Sequence, residues 1–266
     1  MEITFIVIFI LISLGFLAGT VAVIAGIGGG VLFVSIMTVV FIIPINVAID
    51  TSTFIILTSS LAGFITYLKQ KRTTLKISLL FSAFSILGSI LTTILFLFIP
   101  IDNTLLKIIF ASTLLIAGGN MIYKAIKTNN QQKKQLFSEQ NFFLDKHDYK
   151  SNFKKSIPLF LLAGFTANLL GIGGGIINTP SLHIVLNYPI HYSTAISTSI
   201  IFFTAIYNTI IKAILGEIDY LVGIFVVIGS IIGSIFGAKI SKRMPRVYLQ
   251  FFVAIVLIIL AIRMYF

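Results

Sequence analysis

The residues best placed to do chemistry are two identical glycine clusters. Gly26-Ile27-Gly28-Gly29-Gly30 recurs as Gly171-Ile172-Gly173-Gly174-Gly175, 145 positions later. Three successive glycines do not form a comfortable helix interior, since each costs about 1 kcal/mol against alanine. They turn the chain and bring bare backbone amides close to a ligand. A helix restarting at Gly30 or Gly175 aims its unpaired N–H groups and positive dipole end at the break, a geometry suited to an anion. Gly28, Gly29, Gly30, Gly173, Gly174 and Gly175 are therefore candidate substrate-binding residues. Close helix packing is the alternative use of such small residues. No Lys-Ser/Thr follows either cluster, which argues against a nucleotide loop.

Polar residues gather beside the clusters. Asn168 precedes the second one, and Asn178-Thr179-Pro180-Ser181 follows it by one turn; the first half has Phe33-Val34-Ser35-Ile36 there. The second half is thus the more polar wall of a candidate pocket, with Asn168, Asn178 and Thr179 as contacts. Ser52-Thr53 and Ser197-Thr198 lie early in the span after Pro44 and Pro189. Hydroxyls can donate to an oxyanion without burying a full charge, or they can bond their own helix carbonyls. Asp50 is an acid inside a span, a default candidate for proton relay or ion pairing, although it lies near enough to one interface to be solvated. His183, in the short segment after the second cluster, titrates in a useful range and is the second candidate for proton coupling. Gly229, Gly233 and Gly237 recur every fourth residue, a small-residue packing stripe.

These residues sit on an internal repeat. At the same 145-residue shift Gly19 meets Gly164, Pro44 meets Pro189, Ser52-Thr53 meets Ser197-Thr198, Gly88-Ser89 meets Gly233-Ser234 and Pro100 meets Pro245. Repeats containing glycine breaks within apolar sequence point to secondary transporters. The chain is 58% hydrophobic and 10% charged, with mean hydropathy +1.08, which fits bilayer-spanning helices. It has no Cys, so neither disulfides nor thiolate metal sites arise. Residues 3–25 read as a retained membrane segment, because no basic n-region precedes the apolar run.

Five apolar segments appear per half, near 3–25, 31–43, 47–68, 75–99 and 104–126, then 156–170, 174–187, 190–213, 220–240 and 247–265. The second of each set is shorter than the ~20 residues a span needs. The expected fold is all-α and polytopic, with two inverted repeats, each a glycine-broken hairpin followed by three spanning helices. The expected divisions are a membrane repeat over 1–126, a polar cytoplasmic linker over 127–155 and a second membrane repeat over 156–266. Basic residues concentrate at 69–76, 124–155 and 239–246, which the positive-inside rule places in the cytoplasm. Equivalent loops then lie on opposite sides, and both termini lie outside. The formal charge of +11 reflects these loops rather than nucleic acid.

The run Gly171-Ile-Gly-Gly-Gly-Ile-Ile-Asn-Thr-Pro-Ser-Leu182, followed by Ala195-Ile-Ser-Thr-Ser199, resembles the sulfite exporter TauE/SafE family of membrane permeases. The likeness covers the chain apart from its linker. It implies transport of small anions, above all sulfur oxyanions and organosulfonates, through seven or eight spans in two repeats. Ser35 stands where the second half has Pro180, which departs from a symmetric motif. The expected protein is a multi-pass secondary transporter of the cell membrane, moving its anion by alternating access, with an anion channel or a non-transporting scaffold as alternatives. An enzyme is not expected, since no nucleophile and base or paired carboxylates occur within the spans. No cofactor or metal is expected. The expected partners are the anion, the lipid bilayer, protons as a coupling ion and a second copy in a homodimer.

Overall fold

A computed structural model describes residues 5–99, 102–129, 144, 152–241, 254–255 and 258–264. Most of the linker, and Lys242, Arg243 and Arg246 of the third basic cluster, lie outside the described residues. The fold is all-α. The first half contains α1 (Phe5–Ala25), α2 (Gly30–Val39), α3 (Ile45–Lys69), α4 (Leu75–Phe98) and α5 (Asn103–Asn129). The second contains α6 (Phe153–Leu170), α7 (Gly175–Pro180, continued by a π-helical turn over Ser181–Val185), α8 (Ile190–Leu215) and α9 (Tyr220–Ile240). Residues 254–255 and 258–264 are also helical. Helices α1, α3, α4, α8 and α9 are each long and apolar enough to cross a bilayer.

Local sequence sets the boundaries. Pro44 and Pro189 stand at the N-caps of α3 and α8 with φ of −52° and −55°, a conformation the pyrrolidine ring fixes in advance. Asp219 caps α9 by accepting from the amides of Leu221 and Val222, both at 3.1 Å. Gly29 and Gly174 cap α2 and α7 in the left-handed region, at φ 73° and 75°, where only glycine is unstrained. Pro180 cannot donate to the carbonyl four residues back, and the helix widens into its π turn immediately after it. Ser35, the first-half counterpart, donates to Val31 O at 2.7 Å, and α2 stays α-helical through Val39. At 1.5 Å per residue α2 spans about 15 Å, half the hydrocarbon thickness.

The halves interlock by exchange. Helix α1 packs on α9, and its counterpart α6 packs on α4. Both interfaces are parallel: Gly229, Gly233 and Gly237 lie against Ile12, Phe16 and Thr20, while Gly88 and Gly164 lie against Leu161 and Ser85. Between them α3 and α8 cross antiparallel. Thr209 Oγ1 donates to Thr53 O at 3.0 Å, and Phe64 stacks on Phe202 with ring centroids 5.4 Å apart. Helix α3 runs parallel to α9, since the Asp219 amide donates to Thr51 Oγ1 and Gln70 Nε2 to Ala238 O. Helix α4 runs parallel to α8, through Thr73 with Ser199 and Thr93 with Tyr207. Each of these helices in one half therefore runs opposite to its counterpart in the other.

Candidate functional site

The two glycine breaks meet where α3 crosses α8. A Cβ built on Gly28 would approach Gly173 Cα at 3.4 Å, and both positions face Ile201. The contacts are reciprocal. Ser52 Oγ donates to Gly171 O at 2.8 Å, and Ser197 Oγ donates to Gly26 O at 2.8 Å. Thr179 Oγ1 adds a second donor to Gly26 O at 2.7 Å. Each hairpin tip is thus held by a serine of the other half's central helix. Among the described residues, the amides of Gly28, Gly29, Gly30 and Val31 donate to no backbone carbonyl, and neither do those of Gly173, Gly174, Gly175 and Ile176.

The other candidates fall around this crossing in distinct ways. Thr53 and Thr198 donate to carbonyls of their own helices, Asp50 O at 2.7 Å and Thr194 O at 2.9 Å. Thr53 nevertheless borders a narrow gap with Gly173, Ala167, Thr204 and Asn208, too tight to hold a water molecule. Asn178 is fully buried, and neither its side-chain oxygen nor its nitrogen has a partner. Leaving such a group unpaired costs about 1–3 kcal/mol. Asn168 Nδ2 donates to Ser89 O and Thr93 Oγ1, both at 2.9 Å, while its Oδ1 stays buried and unpaired. His183 lies apart from the crossing, its Nδ1 2.8 Å from Tyr188 O in the π-helical turn.

About one turn from the tight gap along α3 and α8 lies a cavity of about 340 Å³, bordered by Asn46, Asp50, Phe96, Asn168, Lys212 and Gly216 among others. Asp50 is 7% exposed and borders this cavity. Its Oδ1 pairs with Lys212 Nζ at 2.9 Å, and its Oδ2 accepts the Glu217 amide at 3.0 Å. Lys212 also lies 4.7 Å from the centroid of the Phe96 ring. Sequence analysis did not single out Lys212, which sits at the end of a span and outside the three basic clusters. A lone cation in the last turn of an otherwise apolar helix was the only hint of it. Asn208, also absent from the sequence-based candidates, borders the gap with its Oδ1 unpaired.

At the opposite end of α3 the equivalent space is filled. Tyr67, fully buried, donates to Val23 O at 2.9 Å. Arg72, 4% exposed, donates to Ser241 Oγ and His191 O, both at 2.7 Å, and stacks on Tyr67 at 4.8 Å. Among the described residues no group of three His, Asp or Glu is placed to hold a metal.

Comparison with known proteins agrees with this architecture. The profile of the family described as Sulfite exporter TauE/SafE matches residues 11–264. The chain is 28% identical over 203 residues to "Probable membrane transporter protein YunE" of Bacillus subtilis, covering 73% of each protein. It is 30% identical over 198 residues to "Probable membrane transporter protein MJ0441" of Methanocaldococcus jannaschii, covering 72% of this chain and 67% of that protein. "Probable membrane transporter protein YdhB" of B. subtilis is 26% identical over 192 residues, covering 72% of this chain and 73% of that protein. No solved structure matches significantly. With the family profile running across nearly the whole of this all-helical, multi-pass chain, the protein belongs to the TauE/SafE family of cell-membrane transporters.

Proposed function

We propose that the protein is a secondary transporter of small anions, sulfur oxyanions or organosulfonates, which bind at the crossed glycine breaks and move by alternating access. The observation that carries this reading is the reciprocal crossing itself. Unpaired amides from both breaks gather there beside Asn178, a buried carboxamide with no partner. Backbone donors are suited to turnover, because they stabilise negative charge without the tight hold of a fixed cation. The geometry also suits alternation. A cavity approaches Asn168 and the gap at Gly173 from one end, while Tyr67 and Arg72 close the other. Opposed helix directions in the two halves are what inverted repeats require, and rocking one against the other would exchange the open end. The test is flux of sulfite, sulfate, thiosulfate and methanesulfonate into proteoliposomes. Transport of none of them would overturn the assignment.

The basic loops support a sidedness as well. Lys69, Lys71, Arg72 and Lys76 favour a cytoplasmic position for the Tyr67 end, with the Lys212 cavity opening outward. The chain lacks cysteine, so single cysteines report on this without background. In intact cells Asn103→Cys, at an exposed position, should react with an impermeant thiol reagent, and Lys71→Cys, also exposed, should react only after lysis. Labelling of Lys71→Cys in intact cells would refute the orientation.

A further inference from the structure

The repeat makes the Asp50–Lys212 pair conspicuous. At the 145-residue shift Lys212 stands where the first half has Tyr67, and Asp50 stands where the second half has Ala195. Tyr67 and Ala195 pack together in an apolar cluster with Val23 and Ala238. The fold therefore closes this junction with Tyr67 under the Arg72 guanidinium at one end of the molecule, and carries a carboxylate–ammonium pair beside a cavity at the other. Both side chains are largely withdrawn from solvent, 13% exposed for Lys212 and 9% for Asp50. Buried ion pairs are weak contributors to stability, and ionisable groups within membrane spans default to function. These two border a cavity of about 340 Å³, room for about ten waters at ~30 Å³ each.

Asn46 supplies an independent observation. It lies one turn before Asp50 on α3 and borders the same cavity. Its Nδ2 donates to Glu217 Oε2 at 3.3 Å, which fixes its Oδ1 as an acceptor. That oxygen is buried and receives no hydrogen bond. A carboxylate at Asp50 has nothing to donate, whereas a protonated carboxyl has one O–H.

We propose that this cavity is a binding site for a singly charged oxyanion or sulfonate, which takes Lys212 from Asp50 as one proton moves onto Asp50. The proposal rests on the anion-transport reading and makes this site the anion's outer station. The charge balance is simple. The empty site holds one positive and one negative charge, and an anion arriving alone would leave a net negative charge in a half-buried cavity. A proton taken from solution onto Asp50 Oδ1 restores neutrality. The Lys212–Asp50 contact breaks, Lys212 pairs with the anion, and the new O–H turns to Asn46 Oδ1. Release of the anion reverses each change. The charged groups around Asp50 are Lys212 on α8 and, in the turn leading to α9, Glu217 and Asp219. Glu217 is exposed, and Asp219 is engaged in capping α9. Helices α4, α5 and α6 contribute Phe96, Leu106 and Asn168 to the wall, none of which titrates. One proton accompanies each negative charge.

Methanesulfonate is the probe, because it stays singly charged across the physiological pH range. Purified full-length protein in weak buffer is titrated with it while a pH dye follows the solution. Wild type should take up about one proton per anion bound, and its affinity should fall on the order of tenfold per pH unit on going alkaline. Asp50→Asn should bind without proton uptake and without pH dependence. Lys212→Gln should weaken binding about ten- to hundredfold. That variant strands Asp50 without its counter-charge, so the uncharged double variant Asp50→Asn with Lys212→Gln is measured beside it and should be weakened by a similar factor of about ten to a hundred. Binding to wild type without proton uptake, unchanged affinity in the double variant, or no binding to wild type would each overturn the site. Any of these with sulfite flux intact leaves the transport reading standing. The expected binding and proton uptake, with no flux of any anion, would sustain the site and overturn transport.

Discussion

Alanine at Gly30 or at Gly175 should stop the two halves from closing on each other. Neither residue has a left-handed backbone, so strain is not the cause; space is. A Cβ on Gly30 would strike the carbonyl oxygen of Gly171 and lie 2.7 Å from Ile172 Cα. A Cβ on Gly175 would strike the carbonyl oxygen of Gly26 and lie 2.5 Å from Ile27 Cα. These obstacles are backbone, held in place by Ser52 and Ser197, and cannot swing aside as a flexible side chain would. Overpacking costs about 1–3 kcal/mol where neighbours can adjust, so each substitution should cost roughly 3 kcal/mol or more. Size-exclusion profile and thermal unfolding measure this directly. Gly119→Ala is the control, because nothing lies within 4 Å of its Cβ position. It should leave stability unchanged or slightly raised. Wild-type unfolding temperatures for both break variants would show that the tips do not pack as described.

Isoleucine at Gly164 should be nearly as damaging, by a different route. A Cβ there would strike Ser85 O and lie 2.8 Å from Ser85 Cα. This close approach lets Ser89 Oγ donate to Gly164 O at 2.9 Å, Thr92 Oγ1 to Phe165 O at 2.8 Å and Asn168 Nδ2 to Ser89 O at 2.9 Å. In a bilayer, helices gain little from hydrophobic association and depend on packing and interhelical hydrogen bonds. Forcing α6 away from α4 should forfeit all three bonds, at about 1 kcal/mol each, and displace Asn168 from the cavity wall. We expect Gly164→Ile to lower thermal stability and to abolish flux in any protein that survives purification. Full flux in a stable Gly164→Ile protein would contradict the helix pairing.

The glycine breaks were legible in the sequence because glycine, proline and serine repeat at one spacing in an apolar chain, where matched Ile and Leu carry little information. Segment length indicated the short second helices, and the matches marked Ser52 and Ser197 as equivalent positions. The oxygens these serines would hold were not legible, since Gly171 O and Gly26 O belong to the opposite half. The same limit hid the Asp50–Lys212 pair. Its members come from different halves and have Ala195 and Tyr67 as counterparts, so the repeat that exposed the breaks concealed the charges. Arg72 read only as part of a basic loop, although its guanidinium is buried against Tyr67 and Ser241. Packing of α1 on α9 was half visible in the stripe Gly229, Gly233, Gly237. Nothing in the sequence identified α1 as its partner, because pairing across halves leaves no local signature.

The central claim is that both ends of the molecule give access, in turn, to one anion site at the glycine crossing. Counterflow in proteoliposomes tests it most directly. Vesicles loaded with unlabelled sulfite are diluted into a trace of labelled sulfite, with no pH or electrical gradient imposed. A site that alternates between faces returns to the outside carrying an unlabelled anion and goes back in carrying a labelled one. The label inside should therefore rise transiently above its equilibrium level, and should do so only with unlabelled sulfite inside. A monotonic approach to equilibrium at the same rate in empty and loaded vesicles would mean a continuous pore and would contradict alternating access.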